Sequence, residues 1–408
     1  MPTIFISAGE ASGELYGAQL AARLREVIPE AELMGMGGER MRAAGVKCVV
    51  RAEDMAVMGL TEVLEHLPRI YGEFQKLKRA IREHRPQVAI LIDFPDFHFR
   101  LFREFHRLGI PIIYFVSPQL WAWKKHRIKL VRKYVRRMLV IFPFEEQFYR
   151  ERQVNAEFVG HPLAELPQPS VSRQEYAAAH ALDPSRTWIA LLPGSRMREI
   201  RDHLPTMLEA ARELAERNPE KRFEFLIPLA PTLQARQREE VSSLIAGHTS
   251  WLPVAAVQDA RLALYHAQAS VVASGTATVE AALIGNPFVV VYQVSRLTYA
   301  IARRVVDVPH VAMANLISGR RVVPELIQLD FSAANIVEHL TPLLPDGPPR
   351  ESMIQGLAQV RAALTAHTDG GGHEETGKRP VGAIDRLAAV VVEELDSQSR
   401  ASQLSSNL

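Results

Sequence analysis

This sequence has little cysteine, little net charge and no long apolar runs, and each of these features excludes a class of protein. Cys48 is the one cysteine among 408 residues, which excludes an internal disulfide framework and any metal site built from paired cysteines. No apolar run reaches the roughly 18 residues of a membrane-spanning helix, and the first residues lack the basic-then-apolar pattern of a signal peptide. A net charge of +2 is too small to mark the whole chain as a nucleic-acid-binding protein. The sequence therefore predicts a globular, cytoplasmic protein.

Apolar strands alternate with amphipathic helices through most of the chain. Hydrophobic residues make up 47% of it, enough to bury the cores of more than one domain. The proline-rich polar stretch 162–169 interrupts the alternation and has the composition of an interdomain linker. We therefore predict an α/β fold of two Rossmann-like, doubly wound domains that face a cleft, followed by C-terminal helices.

The same patterns predict the domain limits. We expect an N-terminal domain over 1–165, a C-terminal domain over 166–380, a last helix over 381–396 and a disordered tail over 397–408. The tail is rich in serine and poor in apolar residues, which is typical of disordered segments. The glycine-rich stretch 370–377 is expected to be a local insertion without chemistry.

A glycine turn follows the first strand. Gly9, Glu10, Ser12 and Gly13 lie where that strand gives way to a helix, but the G-x-G-x-x-G spacing of a dinucleotide site is missing. The carboxylates of Glu10 and Glu14 would repel a phosphate at this helix N-terminus. Two interpretations stay open, ordinary helix capping by Ser12 or a site for a neutral polyol such as a sugar.

Two carboxylates follow a later apolar strand. Asp93 lies at the carboxyl tip of that strand, where partial burial would raise its pKa toward the range that suits a general base. Asp96 has a simpler explanation, because it can cap the helix that begins near Phe97.

Two strand ends in the second half carry residues suited to a diphosphate. After one strand, Ser195 offers a hydroxyl donor and Arg196 a guanidinium fork for phosphate oxygens. After another, small residues at 274–276 leave free amides at a helix N-terminus, and Glu280 lies one turn further, where it would accept ribose hydroxyls. The alternative is an N-cap followed by an early acidic residue. These patterns predict a nucleotide diphosphate in the second domain.

Positive charge is concentrated between residues 124 and 137, which hold eight Lys or Arg and no Asp or Glu. The spacing predicts one amphipathic helix with Lys125, Lys129, Arg132 and Arg136 along one face. A solvated face, a nucleic-acid site and an anionic membrane surface are the alternative interpretations. Near-zero net charge elsewhere makes nucleic acid the least favoured.

An ordered series of motifs runs through nearly the whole chain. Its members are GEASG at 9–13, AVMG at 56–59, IDFPDF at 92–97, VSPQLWAW at 116–123, FPFE at 142–145, GHP at 160–162, LLPGSR at 191–196, SGTATVE at 274–280, NL at 315–316 and ELIQ at 325–328. By this series the chain resembles the lipid-A-disaccharide synthases, which are inverting glycosyltransferases of the two-domain GT-B fold.

The resemblance implies a reaction and a set of site residues. A 2,3-diacylglucosamine unit would pass from its UDP derivative to the 6-hydroxyl of 2,3-diacylglucosamine 1-phosphate, giving UDP and the β-1,6-linked disaccharide of lipid A biosynthesis. Asp93 would be the catalytic base. The UDP donor would be bound by Ser195, Arg196, Ser274, Gly275, Thr276, Glu280, Asn315 and Gln328. The acceptor side of the cleft would contain Gly9, Glu10, Ser12, Gly13 and Asp96.

The resemblance also implies where the protein works. Both substrates are lipids, so we expect peripheral association with the anionic inner-membrane surface, from the cytoplasm and without a nucleic-acid partner. The surface facing acyl chains and membrane would contain Val57, Met58, Val63, Leu64, Leu67, Lys125, Lys129, Arg132 and Arg136. Neither a metal nor another cofactor is implied, since the UDP-sugar is a substrate. The oligomeric state stays open between a monomer and a homodimer.

Two departures from the family pattern bear on the site. His98 stands where the family usually has Asn, and Gln293 where it usually has a basic residue, so position 293 does not supply the expected cation near the diphosphate. Three alternatives stay open: another GT-B UDP-sugar transferase, a UDP-sugar epimerase, and a UDP-sugar-binding protein without catalysis.

Overall fold

The computed structural model describes residues 1–54, 60–247, 252–295, 298–299, 303–304, 308–365 and 382–406. Of residues 11, 54, 60–68 and 401–406 it describes the backbone only. The chain forms two compact units. The first contains Met1–Glu165 and Leu364–Leu408, and the second contains Leu166–Ala363. The boundary between Glu165 and Leu166 lies within the stretch expected to be a linker.

The first unit is built on a parallel sheet. Its strands are β1 (Thr3–Ala8), β2 (Glu32–Gly37), β3 (Lys47–Arg51), β4 (Val88–Ile92), β5 (Ile112–Phe115), β6 (Val135–Val140) and β7 (Ala156–Phe158). They lie in the order β3-β2-β1-β4-β5-β6-β7. The helices between them are α1 (Ala11–Val27), α2 (Glu39–Ala43), α3 (Leu60–His84), α4 (Pro95–Arg107), α5 (Ile128–Tyr134) and α6 (Pro143–Arg150).

The second unit repeats this architecture. Its strands are β8 (Thr187–Leu192), β9 (Phe223–Pro228), β10 (Val254–Val257), β11 (Ala269–Ala273), β12 (Phe288–Tyr292) and β13 (Glu325–Ile327). They form a parallel sheet in the order β10-β9-β8-β11-β12-β13. Its helices are α7 (Arg173–His180), α8 (Met197–Arg217), α9 (Ala235–Ala246), α10 (Ala260–His266), α11 (Thr276–Ile284), α12 (Met313–Ser318), α13 (Ala333–Leu340) and α14 (Pro348–Leu364).

Each sheet has one point where the strand order reverses. In the first sheet it lies between β1 and β4, and in the second between β8 and β11. The crossover helices leave such neighbours toward opposite faces of the sheet, which opens a crevice at their carboxyl ends where ligands bind. The predicted turn at 9–13 and Asp93 follow β1 and β4, while Ser195 and Ser274 follow β8 and β11. The topology therefore puts the candidate residues of each unit at its crevice.

Apolar sequence, continuous in β4 and interrupted in β11 only by Ser270, explains why these strands beside the crevices are buried. All five residues of β4 and all five of β11 are buried, as expected when helices cover both faces of a parallel sheet. The core of the first unit includes the rings of Phe102, Phe105 and Tyr114. Close packing of this kind fixes where each strand ends, and so where the first residue after it lies.

The last helix, α15 (Ala383–Ser406), belongs to the first unit. It packs on α1, buries Leu387, Val390 and Val391, and donates from Gln398 Nε2 to the carbonyl oxygen of Gln87 at 2.7 Å. The expected disordered tail over 397–408 is therefore wrong as far as Ser406. Because the apolar face of α15 packs on α1, the helix continues through its serine-rich end.

The basic segment is not the single helix that its spacing predicted. Residues Lys125–Arg127 form a turn of 3-10 helix, α5 ends at Tyr134, and β6 begins at Val135. Val135 is buried and pairs with Ile112 of β5, so sheet pairing overrides the helical pattern. Arg136 consequently lies on a strand, where its Nε is 3.5 Å from Glu394 Oε1 of α15.

Candidate active site

Asp93 is held in an unusual backbone conformation at the tip of β4. Its φ is 49° and that of Phe94 is 51°, a region that costs a non-glycine residue on the order of 1–3 kcal/mol. The Asp93 N–H donates to the carbonyl oxygen of Phe115 at 2.9 Å. The Asp93 carbonyl oxygen lies 2.6 Å from both the Tyr114 hydroxyl and His98 Nδ1. Three contacts from other elements thus hold the strained residue.

The carboxyl group of Asp93 has a raised pKa. Burial raises the pKa to about 7, the negative charge of Glu10 adds to the effect, and a hydrogen bond from the Phe94 N–H opposes it. The side chain therefore exchanges its proton close to neutral pH. A carboxylate with this pKa is a stronger base than an exposed one, and about half of it is ionised at neutral pH.

Gly9 and Phe94 are in direct contact next to Asp93. A Cβ on Gly9 would lie 2.4 Å from the Phe94 ring, whereas a Cβ on Gly13 would meet its nearest atoms at 3.5 Å. The first glycine of the turn is thus required by close packing, and the second is not. Its position ties the predicted turn to the tip of β4.

The other polar residues predicted for this crevice have different surroundings. Glu10 is the N-cap of α1 and is exposed, and Ser12 lies half-buried in the first turn without capping the helix through its side chain. Asp96 lies in the first turn of α4, paired with Arg127 and with Lys124 at 3.5 Å. Burial would raise the pKa of Asp96, but the hydrogen bond and charge of Arg127 bring it below its ordinary value.

In the second unit, the loop after β8 leads into α8 through Gly194. The amides of Ser195 and Arg196 donate to Glu199 Oε2 at 3.0 and 3.3 Å. A Cβ on Gly194, whose φ is 124°, would lie 2.5 Å from that same oxygen. Glu199 thus caps the amides that the sequence offered to a phosphate. The side chains of Ser195 and Arg196 are exposed, and Arg196 Nη1 lies 3.3 Å from Glu199 Oε1.

The loop after β11 is more open. Gly275 precedes α11 with a φ of 150°, no atom lies within 4 Å of where its Cβ would be, and the helix has no side-chain cap. The hydroxyl of buried Thr278 turns back to the Gly275 carbonyl at 2.8 Å, while Ser274 is half-buried and Thr276 exposed. Uncapped amides at a helix N-terminus attract anions.

Glu280 lies one turn into α11 and is half-buried. Burial raises its pKa, Arg261 opposes the shift, and Asp259 adds to it. A carboxylate in this position is suited to accepting hydroxyl hydrogen bonds.

Gln328 follows β13, one of the two edge strands of the second sheet. Its φ is 59°, and its Nε2 is buried without a hydrogen-bond partner among the described residues. Buried donors are nearly always paired in native proteins. The Gln328 amide therefore has hydrogen-bonding capacity that the described part of the chain does not use.

The side chain of Asn315, in contrast, has no unused hydrogen-bonding capacity. It is completely buried, its Oδ1 accepts from the amides of Val322 and Val323, and its Nδ2 donates to Val323 and to Glu325 Oε1. Glu325 also accepts from the amides of Val311 and Ala312. Asn315 thus holds its own loop together, although the sequence placed it at the donor.

Sequence reasoning missed a buried histidine that links two strand ends of the second unit. His203 of α8 is fully buried, its Nδ1 lies 2.7 Å from the Pro193 carbonyl, and its Nε2 accepts from the Gln293 N–H at 3.1 Å. The side chain of Gln293 is exposed. The backbone of Gln293, rather than its side chain, thus anchors this loop.

The predicted membrane-facing surface is described in part. Val57 and Met58, with the side chains of Val63, Leu64 and Leu67, lie outside the described residues. Lys125, Lys129 and Arg132 are exposed. None of the helices in the described ranges is long and apolar enough to cross a membrane.

Exposed apolar groups lie beside these basic residues. Trp123 is 42% exposed and Leu130 is 37% exposed. The Lys124 ammonium lies 4.0 Å from the centre of the Trp123 ring.

Comparison with known proteins identifies relatives of the whole chain. The family model for Lipid-A-disaccharide synthetase matches residues 4–366. Over 373 residues the chain is 60% identical to the Lipid-A-disaccharide synthase of Acidobacterium capsulatum, which covers 89% of this chain and 92% of that protein.

Solved structures share the fold at much lower identity. The glycotransferase of kitacinnamycin aligns with a TM-score of 0.61 and 16% identity over 97% of this chain and 100% of that one. UDP-GlcNAc 2-epimerase from Neisseria meningitidis, bound to UDP-GlcNAc, aligns with a TM-score of 0.57 and 13% identity over 97% and 99%. Transferases and epimerases thus share this architecture, and the likeness shows the fold alone.

Proposed function

Because this chain belongs to the lipid-A-disaccharide synthase family, we propose that Asp93 is the general base of that family's reaction and that the loops after β8 and β11 bind UDP. The enzyme is a glycosyltransferase of the GT-B fold. It transfers 2,3-diacylglucosamine from the UDP derivative to the 6-hydroxyl of 2,3-diacylglucosamine 1-phosphate, and UDP is released. Family membership, rather than the fold, separates it from the epimerases and from proteins that only bind UDP-sugars.

The raised pKa of Asp93 is the observation that carries the assignment of the base. With a pKa of about 7, the carboxylate accepts the proton of the 6-hydroxyl as that oxygen attacks the anomeric carbon. The bond from the anomeric carbon to the diphosphate breaks on the opposite face, and its electron pair leaves with UDP. A well-placed base of this kind is worth about 10²- to 10⁴-fold in rate.

UDP binding is supported by the different surroundings of the two loops. The uncapped N-terminus of α11 supplies amides for the diphosphate, and Arg196 supplies a cation from the neighbouring strand end. Both offset the charge that builds on the departing UDP. Glu280 is placed to accept ribose hydroxyls. The Nε2 of Gln328, which has no hydrogen-bond partner within the described ranges, is placed to donate to the ligand.

This proposal changes the roles that the sequence predicted for Asn315 and Asp96. Asn315 holds Glu325 and its loop, so we assign it to shaping the donor site rather than to contacting UDP. On the acceptor side, Gly9 and Glu10 border Asp93, which favours the sugar interpretation of the turn. Asp96 is occupied by Arg127, and its part in the acceptor site is to orient that arginine.

We also propose docking on the anionic cytoplasmic surface of the inner membrane, because both substrates are held in a bilayer by their acyl chains. Exposed Lys125, Lys129 and Arg132 supply positive charge. Trp123 and Leu130 supply apolar contacts at the interface. Arg136 is also exposed, but it lies on β6 beside Glu394 of α15, and we propose that its charge contributes less to docking than that of the residues on α5.

Turnover by an Asp93→Asn variant tests the base. The protein is mixed with UDP-2,3-diacylglucosamine and the acceptor 1-phosphate, and UDP release is measured beside UDP affinity. We expect turnover to fall by about 10²-fold or more with UDP affinity unchanged, since Asp93 lies in the first unit. Full turnover by this variant would remove Asp93 as the base.

A further inference from the structure

The carbonyl oxygen of Asp93 has two hydrogen-bond donors at the same short distance. The Tyr114 hydroxyl and His98 Nδ1 each lie 2.6 Å from it. A carbonyl oxygen has two lone pairs, so the pair of donors uses its whole accepting capacity. Both donors are completely buried, and they come from different elements, β5 and α4.

The contacts of His98 define the state of its ring. Because a carbonyl only accepts, Nδ1 carries the proton that it donates to Asp93. Its Nε2 lies 2.8 Å from the hydroxyl of buried Ser7, which donates to it when the ring is neutral. Burial lowers the pKa of His98 to about 4, so the ring is neutral at physiological pH. One side chain thus joins the end of β1 to the residue after β4, across the crevice.

The geometry points to His98 as a positioning residue that, together with Tyr114, holds Asp93 in its left-handed conformation and so aims its carboxylate at the acceptor hydroxyl. This inference rests on the proposed role of Asp93 as the base. His98 itself touches neither substrate nor the reacting atoms. The strain at Asp93 and Phe94 requires such an anchor, because an unheld chain would relax to an ordinary conformation and turn the carboxylate away.

The groups around Asp93 predict the direction in which its pKa changes when the positioning contacts are lost. Among the described residues, the titratable groups that face it are Glu10 at the N-cap of α1, His98 of α4 and Tyr114 of β5. The Asp96–Arg127 pair lies nearby, in the first turn of α4. Relaxation of the backbone would carry the carboxyl out of its buried position and away from Glu10. Its pKa would then fall toward the ordinary value.

Three variants separate positioning from simple packing. His98→Phe keeps a ring against Phe94 and Tyr114, whose centres lie 5.9 and 6.1 Å away, but removes both polar contacts. His98→Asn is the conservative variant, because its amide supplies both a hydrogen-bond donor and an acceptor. Tyr114→Phe removes only the second donor. Values of kcat, KM for the donor, the pH profile of kcat and Tm are measured for each.

We expect His98→Phe to lower kcat by about 10- to 100-fold with a change of less than about threefold in donor KM. The acid limb of its kcat profile should move to lower pH by about one unit. His98→Asn should restore most of the turnover and the original acid limb. Tyr114→Phe should shift the limb in the same direction as His98→Phe, which tests the inference even where His98→Phe does not fold.

A His98→Phe protein with a lowered Tm but wild-type kcat and acid limb would overturn the inference, because packing alone would explain it. An unshifted acid limb in folded Tyr114→Phe would overturn it as well. Asp93→Asn is assayed in parallel to keep the two proposals apart. Full turnover by Asp93→Asn would contradict the role of Asp93 as the base. If Asp93→Asn is inactive while the His98 and Tyr114 variants keep wild-type kcat and acid limb, only the positioning role is contradicted.

Discussion

Gly9 lies against the ring of Phe94, and the space that a side chain would need is already occupied. We predict that Gly9→Ala destabilises the first unit by about 1–3 kcal/mol and lowers turnover about tenfold or more, since Phe94 moves together with neighbouring Asp93. Gly13→Ala is the matched control, because a Cβ there meets its neighbours at 3.5 Å. Turnover and chemical denaturation measure both effects, and equal losses in the two variants would contradict the prediction.

The raised pKa of Asp93 also makes stability depend on pH. Between its ordinary value of 3.8 and about 7, the native protein binds this proton more tightly than the unfolded chain, so stability from this group is lost as pH rises. Asp93→Asn should therefore be more stable than the wild type at pH 8, by on the order of 4 kcal/mol, and nearly equal at pH 4. Urea denaturation at both pH values measures this difference.

Asp96 is the control for that measurement, because its pKa is lowered rather than raised. Asp96→Asn breaks the pair with Arg127, so its stability should fall at pH 8 and approach that of the wild type as pH drops through the lowered pKa. A gain for Asp96→Asn at pH 8, or none for Asp93→Asn, would contradict these signs.

At the scale of elements, the sequence was informative where the pattern is local. The strand expected before the glycine turn and the helix expected after the small residues at 274–276 are both present in the structure, as Thr3–Ala8 and Thr276–Ile284. Asp93 could be placed at a strand tip because an apolar run ends there. His98 and Tyr114 could not be connected to it, since hydrogen bonds between side chains and a distant carbonyl leave no periodic signal in a sequence.

The basic segment shows the opposite case, a clear local pattern overruled by tertiary structure. Arg132 and Arg137 are five positions apart and would belong to one helix by spacing. Arg132 is exposed on α5, whereas Arg137 is 18% exposed on β6 and paired with Glu157 and with Glu393 of α15. The pairing partners come from later parts of the chain, which no local pattern reveals.

A matched pair of substitutions distinguishes the role of Arg132 on α5 from that of Arg137 on β6. We predict that Arg132→Gln weakens binding to vesicles of anionic lipid about fivefold, as the loss of one charge near the surface implies, without a change in stability. Arg137→Gln should leave vesicle binding within about twofold and lower the free energy of unfolding by about 1 kcal/mol. Sedimentation at several salt concentrations measures binding, and equal losses would contradict docking through α5.

At the scale of the whole molecule, the two units should respond separately to ligand. UDP at about 100 times its Kd should stabilise the second unit by about 2.7 kcal/mol, because the proposed contacts lie between Ser195 and Gln328. Hydrogen exchange should slow at the start of α11 and remain unchanged at Gly9 and Gly13. Protection confined to those two glycines would place UDP in the first unit and contradict the proposal.

The return of α15 to α1 was invisible to the sequence and has a consequence during protein synthesis. A ribosome completes every strand of the second unit before it makes Leu387, Val390 and Val391, which cover α1. The nascent first unit therefore keeps an uncovered apolar strip while the second matures. Translation that stalls before Ala383 would leave that strip exposed, as a surface for chaperones to bind or for aggregation to begin.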